Sequence, residues 1–357
     1  MDQARTQEFW AKHKKKTLEA FDNEESSLPH RYVLVLTNLC NLRCSFCFQA
    51  RKKRPDAMTK DQWLKFIDQI PEGSRVTLTG GEPLVFKGFE EIFNKATEKC
   101  FVNIISNGVL LNEDFIEMFT DSENMKVFSI SIDDIGNKSR EFKKNQWDKL
   151  LKDIEFFNTK RKQKNSKICL DIKAVIMEDN AKEIFEFNKF AHEKLNADTT
   201  SFSFLKGADI QHNDFEFEFE KINEEYFAEQ YKNFDIVINE LEKIRSYNIK
   251  NNKYAFLHPN IFNLNSGDRE FDIGYINNRE HKKEHFKPCM APWGSVHINV
   301  DGNLFPCMAI SMGNVKTKSL KEIVHGEIFK RFKKIIKDNG TVSACNRCGY
   351  LDPIKDK

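Results

Sequence analysis

The chain has 357 residues, 40% of them hydrophobic and 31% charged, long enough to bury a core without staples and too apolar to be disordered or fibrous. Lys plus Arg total 56 and Asp plus Glu 54, and the net charge of +2 argues against a nucleic-acid partner. No apolar run reaches the ~18 residues of a membrane span and the start MDQARTQEFWAKHKKK lacks a signal core, so a cytoplasmic chain with reduced thiols is expected.

Residues 1–27 read as a charged helix with Phe9, Trp10, Leu18 and Phe21 as its apolar positions and Lys14–Lys16 as a solvated face. From Tyr32 to about Lys206, β-rich runs alternate with helical stretches. The predicted strands are Tyr32–Thr37, Arg75–Thr79, Val102–Ser106, Phe128–Asp133, Ile168–Ile176 and Ser201–Leu205. The predicted helices are Thr59–Ile70, Gly88–Lys99, Asn112–Thr120, Arg140–Phe157 and Asn180–Leu195. Such alternation points to βα units and a parallel sheet. One face of strand after strand is polar: Ser129, Ser131 and Asp133 alternate with Phe128, Ile130 and Ile132, and Cys169, Asp171 and Lys173 with Ile168, Leu170 and Ile172. A sheet covered on both faces would be apolar throughout. The pattern instead implies a curved sheet with helices outside and a polar lumen.

Residues 207–285 change character. The run Asp214–Lys221 is aromatic and acidic, and an amphipathic helix follows from about Asn223 to Ser246 with Phe227, Tyr231, Phe234, Ile238, Leu241 and Ile244 on one face. Residues 248–285 read as loops or a lid, which makes the whole insert a candidate substrate cap. Strands near Ser295–Val300 and Asn303–Phe305 are joined by the hairpin signal Asp301-Gly302, and a helix is expected over Leu320–Asp338 with Ser319 as N-cap.

The nine cysteines sort into three classes. Cys40, Cys44 and Cys47 form C-x3-C-x2-C after the first strand. Cys289, Cys307, Cys345 and Cys348 form a C-terminal group ending in C-x2-C, and Cys100 and Cys169 stand alone. Clustered thiolates in a reduced compartment hold zinc or iron–sulfur. Four thiolates close a site, whereas three leave a metal position open to a ligand. A zinc loop would favour C-x2-C and a fourth ligand beside the first group, where the nearest histidine is His30.

The first cysteine group, with Phe46 before its third cysteine, resembles the cluster motif of the radical S-adenosylmethionine (SAM) superfamily. Three later segments agree in order: Gly80-Gly81-Glu82-Pro83 after strand two, Ser106-Asn107-Gly108 after strand three, and Ser129-x-Ser131-x-Asp133 on strand four. The resemblance implies that Gly80, Gly81, Glu82 and Pro83 meet the methionine end of SAM. It implies further that Ser106 and Asn107 shape its pocket, that Ser129, Ser131 and Asp133 hold its ribose and carboxylate, and that Asn180 meets the adenine. The implied chemistry is reductive cleavage of SAM to a 5′-deoxyadenosyl radical, which takes hydrogen from a substrate C–H. The C-terminal group resembles the SPASM auxiliary-cluster region in its short twitch form, because no cysteine follows Cys348. Two [4Fe–4S] clusters are implied, one binding SAM and one auxiliary.

The fold expectation is an α/β partial (β/α)6 TIM barrel with a small C-terminal twitch/SPASM-like domain. Its boundaries are a helical extension at 1–30, the barrel at 31–206, the cap at 207–285 and the auxiliary domain at 286–357. The reaction expected is two-electron oxidation of a sugar- or cyclitol-like alcohol, with Asp171 or Lys173 as the base. One alternative is a peptide-modifying maturase, disfavoured by the short segment before strand one. The other is an epimerase using Cys169 as hydrogen-atom donor. The implied partners are a small-molecule or peptide substrate and a flavodoxin- or ferredoxin-type electron donor; the basic stretch Arg51–Arg54 reads as a solvated loop, with steering of an acidic substrate or such a reductase as the alternative, and no nucleic acid and no membrane is expected.

Overall fold

A computed structural model describes residues 3–23, 27–47, 55–205, 230–268, 276–277, 283–307, 310–342, 345 and 347–354. The side chains of residues 3–10, the basic stretch at 51–54 and the aromatic–acidic run at 214–221 lie outside that description. The strands are β1 Arg31–Val35, β2 Arg75–Thr79, β3 Phe101–Ser106, β4 Met125–Ser131, β5 Cys169–Ile176, β6 Thr199–Phe204, β7 Tyr254–His258, β8 Ser295–Ile298 and β9 Leu304–Phe305. The helices are α1 Gln3–Asp22, α2 Lys60–Asp68, α3 Phe89–Thr97, α4 Glu113–Asp121, α5 Lys144–Gln163, α6 Ile184–Glu193, α7 Phe234–Asn251, α8 Ala291–Gly294, α9 Leu320–Val324 and α10 Glu327–Asn339.

All nine strands form one sheet in the order β7-β6-β5-β4-β3-β2-β1-β8-β9. Neighbours from β7 to β8 are parallel, and only β8·β9 is antiparallel. The six expected strands are all present, and the expected hairpin is β8–β9. The open partial barrel is therefore real, and two further parallel strands extend it.

The first of them, β7, revises the reading of the insert. The amphipathic helix predicted as part of a cap is α7, and it lies beside α6 in the outer layer. Asn188 Nδ2 donates to Asn248 Oδ1 at 3.1 Å, and the Phe185 amide donates to Glu240 Oε2 at 3.2 Å. The buried side of α7 is Phe234, Val237, Leu241 and Ile244. Helical periodicity identifies an apolar face but not its partner, and here the partner is the barrel. The strand β7 falls in a stretch read as loop.

Helix starts follow their caps. Thr59 closes a capping box on α2 with Gln62, Asn112 caps α4, and Ser319 closes a box on α9 with Glu322. The single helix expected at 320–338 is broken into α9 and α10 at Gly326, which caps α10 from extended backbone. Between the sheet and α3–α5 runs a file of rings, Phe89, Phe93, Phe119, Phe128 and Phe157, with successive centroids 5.3–6.3 Å apart. All five are at most 2% exposed. None of the described helices is long and apolar enough to cross a membrane.

Candidate functional site

The first cysteine loop leaves the C-terminal end of β1, the end at which parallel α/β barrels place their sites. It is zipped to the loop after β2. Leu36 N donates to Thr79 O at 2.9 Å, Gly81 N to Thr37 O at 2.6 Å and Glu82 N to Leu39 O at 2.9 Å. That contact explains the paired glycines. A Cβ on Gly80 would stand 2.3 Å from Thr37 O, and one on Gly81 2.3 Å from Leu39 O; only glycine lets the two backbones meet.

Glu82 ties the β2 loop to the end of β3. It is fully buried and accepts from Leu84 N at 3.1 Å, Ser106 Oγ at 2.8 Å and Asn107 N at 2.7 Å. Burial pushes its carboxyl up to about 7, against the pull of those three donors. Pro83 starts the single turn that Glu82 caps. Asn107 reaches back to the cysteine loop, donating to Asn41 Oδ1 at 2.8 Å, with Cys40 Sγ 3.7 Å away. Gly108 N donates to Ser106 Oγ at 2.9 Å.

Arg140, which sequence reasoning missed, organises the other side. Its guanidinium lies 5.3 Å from the Phe46 ring centroid, 2.5 Å from Asp133 Oδ2 and 4.0 Å from Cys44 Sγ. Asp133 is wholly buried and also accepts from Val175 N at 2.7 Å. Burial raises its carboxyl while Arg140 pulls it down. Arg140 ends a single 3-10 turn at Lys138–Arg140, ahead of the helix expected to begin at it, and no motif marks it. Asn180 accepts from Met177 N and donates to Asp133 O and Val175 O. Its amide is thereby committed to the backbone of this rim.

On β5 the polar column runs from Cys169, the first residue, through Asp171 to Lys173 nearer the mouth. Asp171 accepts from Ser129, Thr199 and Ser201 at 2.8–2.9 Å and lies 3.5 Å from Lys173 Nζ. Ser129 is thus spent on the lumen network, whereas Ser131 stands half-buried opposite Lys173. Cys169 lies deepest, 3.6 Å from Thr199 Oγ1, and burial pushes its thiol up to about 12.

None of the nine cysteines is joined in a disulfide. Among the described residues no group of three or more ligating side chains is drawn together as for a single metal ion. The two cysteine groups nevertheless behave as sets. Burial raises Cys40, and Cys44 and Cys47 raise it further. Burial holds Cys345 far above the usual thiol range, with added repulsion from Cys348, Cys289 and Cys307. Cys289 is pushed up to about 12 by the same causes. Thiols grouped in this way suit polynuclear iron, whose positive charge offsets that of several thiolates.

An open parallel barrel with one three-thiol loop and one four-thiol group defines the class of SAM-dependent iron–sulfur proteins. Residues 34–161 match the model of the radical SAM superfamily, and residues 289–349 match the SPASM iron–sulfur cluster-binding domain. The chain belongs to that superfamily and is a radical SAM enzyme with a SPASM domain; its cofactors are SAM and two [4Fe–4S] clusters. The sporulation killing factor maturation protein SkfB of Bacillus subtilis (strain 168) is 32% identical over 164 residues, 45% of this chain and 39% of that protein. A GTP 3′,8-cyclase of Clostridium perfringens (strain SM101 / Type A) is 33% identical over 173 residues, 44% of this chain and 50% of the enzyme. The chain thus spans half or less of these curated relatives. Among solved structures, Streptococcus suis SuiB bound to S-adenosylmethionine superposes with TM-score 0.63 at 17% identity, over 90% of this chain and 71% of SuiB. The structure of anSMEcpe with bound AdoMet gives 0.56 at 14% identity, over 90% and 89%. At these identities the two share the fold.

Proposed function

We propose that this radical SAM enzyme modifies a peptide, as a maturase. The observation that carries the reading is the 32% identity to the SkfB maturation protein, over 45% of this chain. Cys40, Cys44 and Cys47 are the proposed ligands of the SAM-binding cluster, and Cys289, Cys307, Cys345 and Cys348 those of the auxiliary one. When bound, these cofactors supply hydrogen abstraction from an unactivated C–H. The chain's own part is to hold, orient and keep water away. Gly80, Gly81, Glu82, Pro83, Phe46, Ser106, Asn107, Ser131, Asp133 and Asn180 are proposed to frame the SAM site, with Arg140 as the cation that braces it. Lys173 is proposed to orient the substrate from the open part of the lumen. The electron donor proposed is of flavodoxin or ferredoxin type.

Oxidation of a sugar- or cyclitol-like alcohol, the first expectation from sequence, has weaker support. It needs a base open to the substrate hydroxyl, and Asp171 already has both oxygens engaged by hydroxyl donors. A Cys169 epimerase fits poorly too, since the thiol lies below that network.

The test is a turnover assay of reconstituted enzyme with SAM, reductant and deuterated peptides encoded beside its gene. Deuterium in the released 5′-deoxyadenosine, with a changed peptide mass, is the expected result. Consumption of an aminocyclitol while every such peptide is left intact would sink the maturase reading.

A further inference from the structure

The edge strands of the sheet are β7 and the short β9, and β8 lies inside it between β1 and β9. The C-terminal segment 347–354 lies against the end of the edge strand β7 and against the starts of β8 and β1. Gly349 packs on His258, the last residue of β7, where a Cβ would stand 3.6 Å from the His258 Cβ. The Tyr350 hydroxyl is 2.9 Å from Ser295 Oγ at the start of β8 and bonds Arg31 at the start of β1. Pro353 then bridges to Phe286.

This strap begins at Arg347, between Cys345 and Cys348. Arg347 has left-handed backbone, with φ 53°, and is 1% exposed. Its guanidinium donates to Leu205 O after β6 at 2.7 Å, to Ile276 O at 3.1 Å and to Asn277 Oδ1 at 3.4 Å. It also covers the Tyr231 ring, 4.9 Å from its centroid. The Tyr231 hydroxyl donates to Ile176 O at 2.6 Å and accepts from Leu205 N at 2.8 Å. The end of β6, residues 276–277 and Tyr231 ahead of α7 thus converge on one side chain, and Tyr231 carries the contact on to the end of β5. All its described acceptors are neutral, so its fork serves geometry rather than ion pairing.

We propose that Arg347 is a positioning residue that couples assembly of the auxiliary cluster site to the ordering of the β6–β7 side of the sheet. It clamps the Cys345–Cys348 loop onto the ends of β5 and β6. The strap behind it rests on the end of β7 and on the starts of β1 and β8. The proposal rests on reading Cys345 and Cys348 as auxiliary-cluster ligands.

The test compares reconstituted wild type, Arg347→Gln and Arg347→Lys by hydrogen exchange, iron content and the EPR signal of each cluster. In Arg347→Gln, amides of β6 and β7 should exchange about tenfold faster or more, with β1–β3 unchanged. Iron should fall from about eight per chain towards four, with SAM still bound. Arg347→Lys, which keeps the charge but loses the fork, should behave like Arg347→Gln. Wild-type exchange in β6 and β7, or faster exchange with full iron and an unaltered auxiliary signal, would overturn the coupling. If Arg347→Gln does not fold, Arg347→Lys decides by the same readouts. A wild type holding only about four irons would sink the cluster reading instead, and the exchange difference would still judge the clamp.

Discussion

At the scale of single residues, two positions make sharp predictions. Gly81 is glycine because a Cβ would enter Leu39 O at 2.3 Å, a backbone atom that cannot turn aside. Gly81→Ala should cost about 1–3 kcal/mol of stability. It should also displace the Cys40 loop, so that the SAM-binding cluster is lost and the auxiliary one kept; iron analysis with EPR checks this. Glu82 is raised from 4.5 to about 7. A carboxyl with a folded pKa above its unfolded one favours folding below the unfolded value and loses that contribution as pH rises through the folded one. The ligand-free wild type should therefore lose melting temperature from about pH 4.5 to 7 relative to Glu82→Gln. Parallel melting curves for the two across that range would refute the assignment. The motif made Glu82 legible, but its partners Ser106 and Asn107 became a single site only when β2 and β3 paired.

At the scale of elements, local signals worked where the information is local. Thr59 accepts from Gln62 N at 3.3 Å and Gln62 Oε1 accepts from Thr59 N at 2.8 Å. Thr59→Ala should cost about 1 kcal/mol, read as a shift in denaturant midpoint with unchanged slope. The strand β7 escaped notice because Tyr254–His258 is short and lies among asparagines, and its pairing with β6 is a tertiary fact. The helix α7 was visible as a helix, yet nothing in its apolar stripe says whether it covers the mouth or the flank. The Asn188–Asn248 and Phe185–Glu240 contacts to α6 decide for the flank.

At the scale of the whole molecule, boundaries drawn near 206 and 286 cut through one continuous sheet. Extension, barrel, cap and auxiliary domain remain a proposed division of labour, but β7 and β8 belong to the barrel. Iron binding should then report on the entire chain. Iron held by the C-terminal thiols of the folded chain stabilises the fold by mass action, so chelation should lower the melting temperature. It should also make the C-terminal segment the first to be cut by protease. Identical melting and cleavage of chelated and loaded protein would refute that linkage.

The amino-acid sequence by itself determined the βα rhythm, the polar lumen and the two thiol groups. The rhythm, the lumen and the first thiol group depend on residues close together in the chain, where periodicity and spacing carry the physics, and the C-terminal group is marked by its closing C-x2-C. Only the tertiary structure decided what Arg140 and Arg347 do. Each is a long side chain whose partners come from distant segments: Phe46, Cys44 and Asp133 for one, Leu205, Ile276 and Tyr231 for the other. A buried guanidinium is held by whichever acceptors the fold brings to it, and no local pattern records that choice.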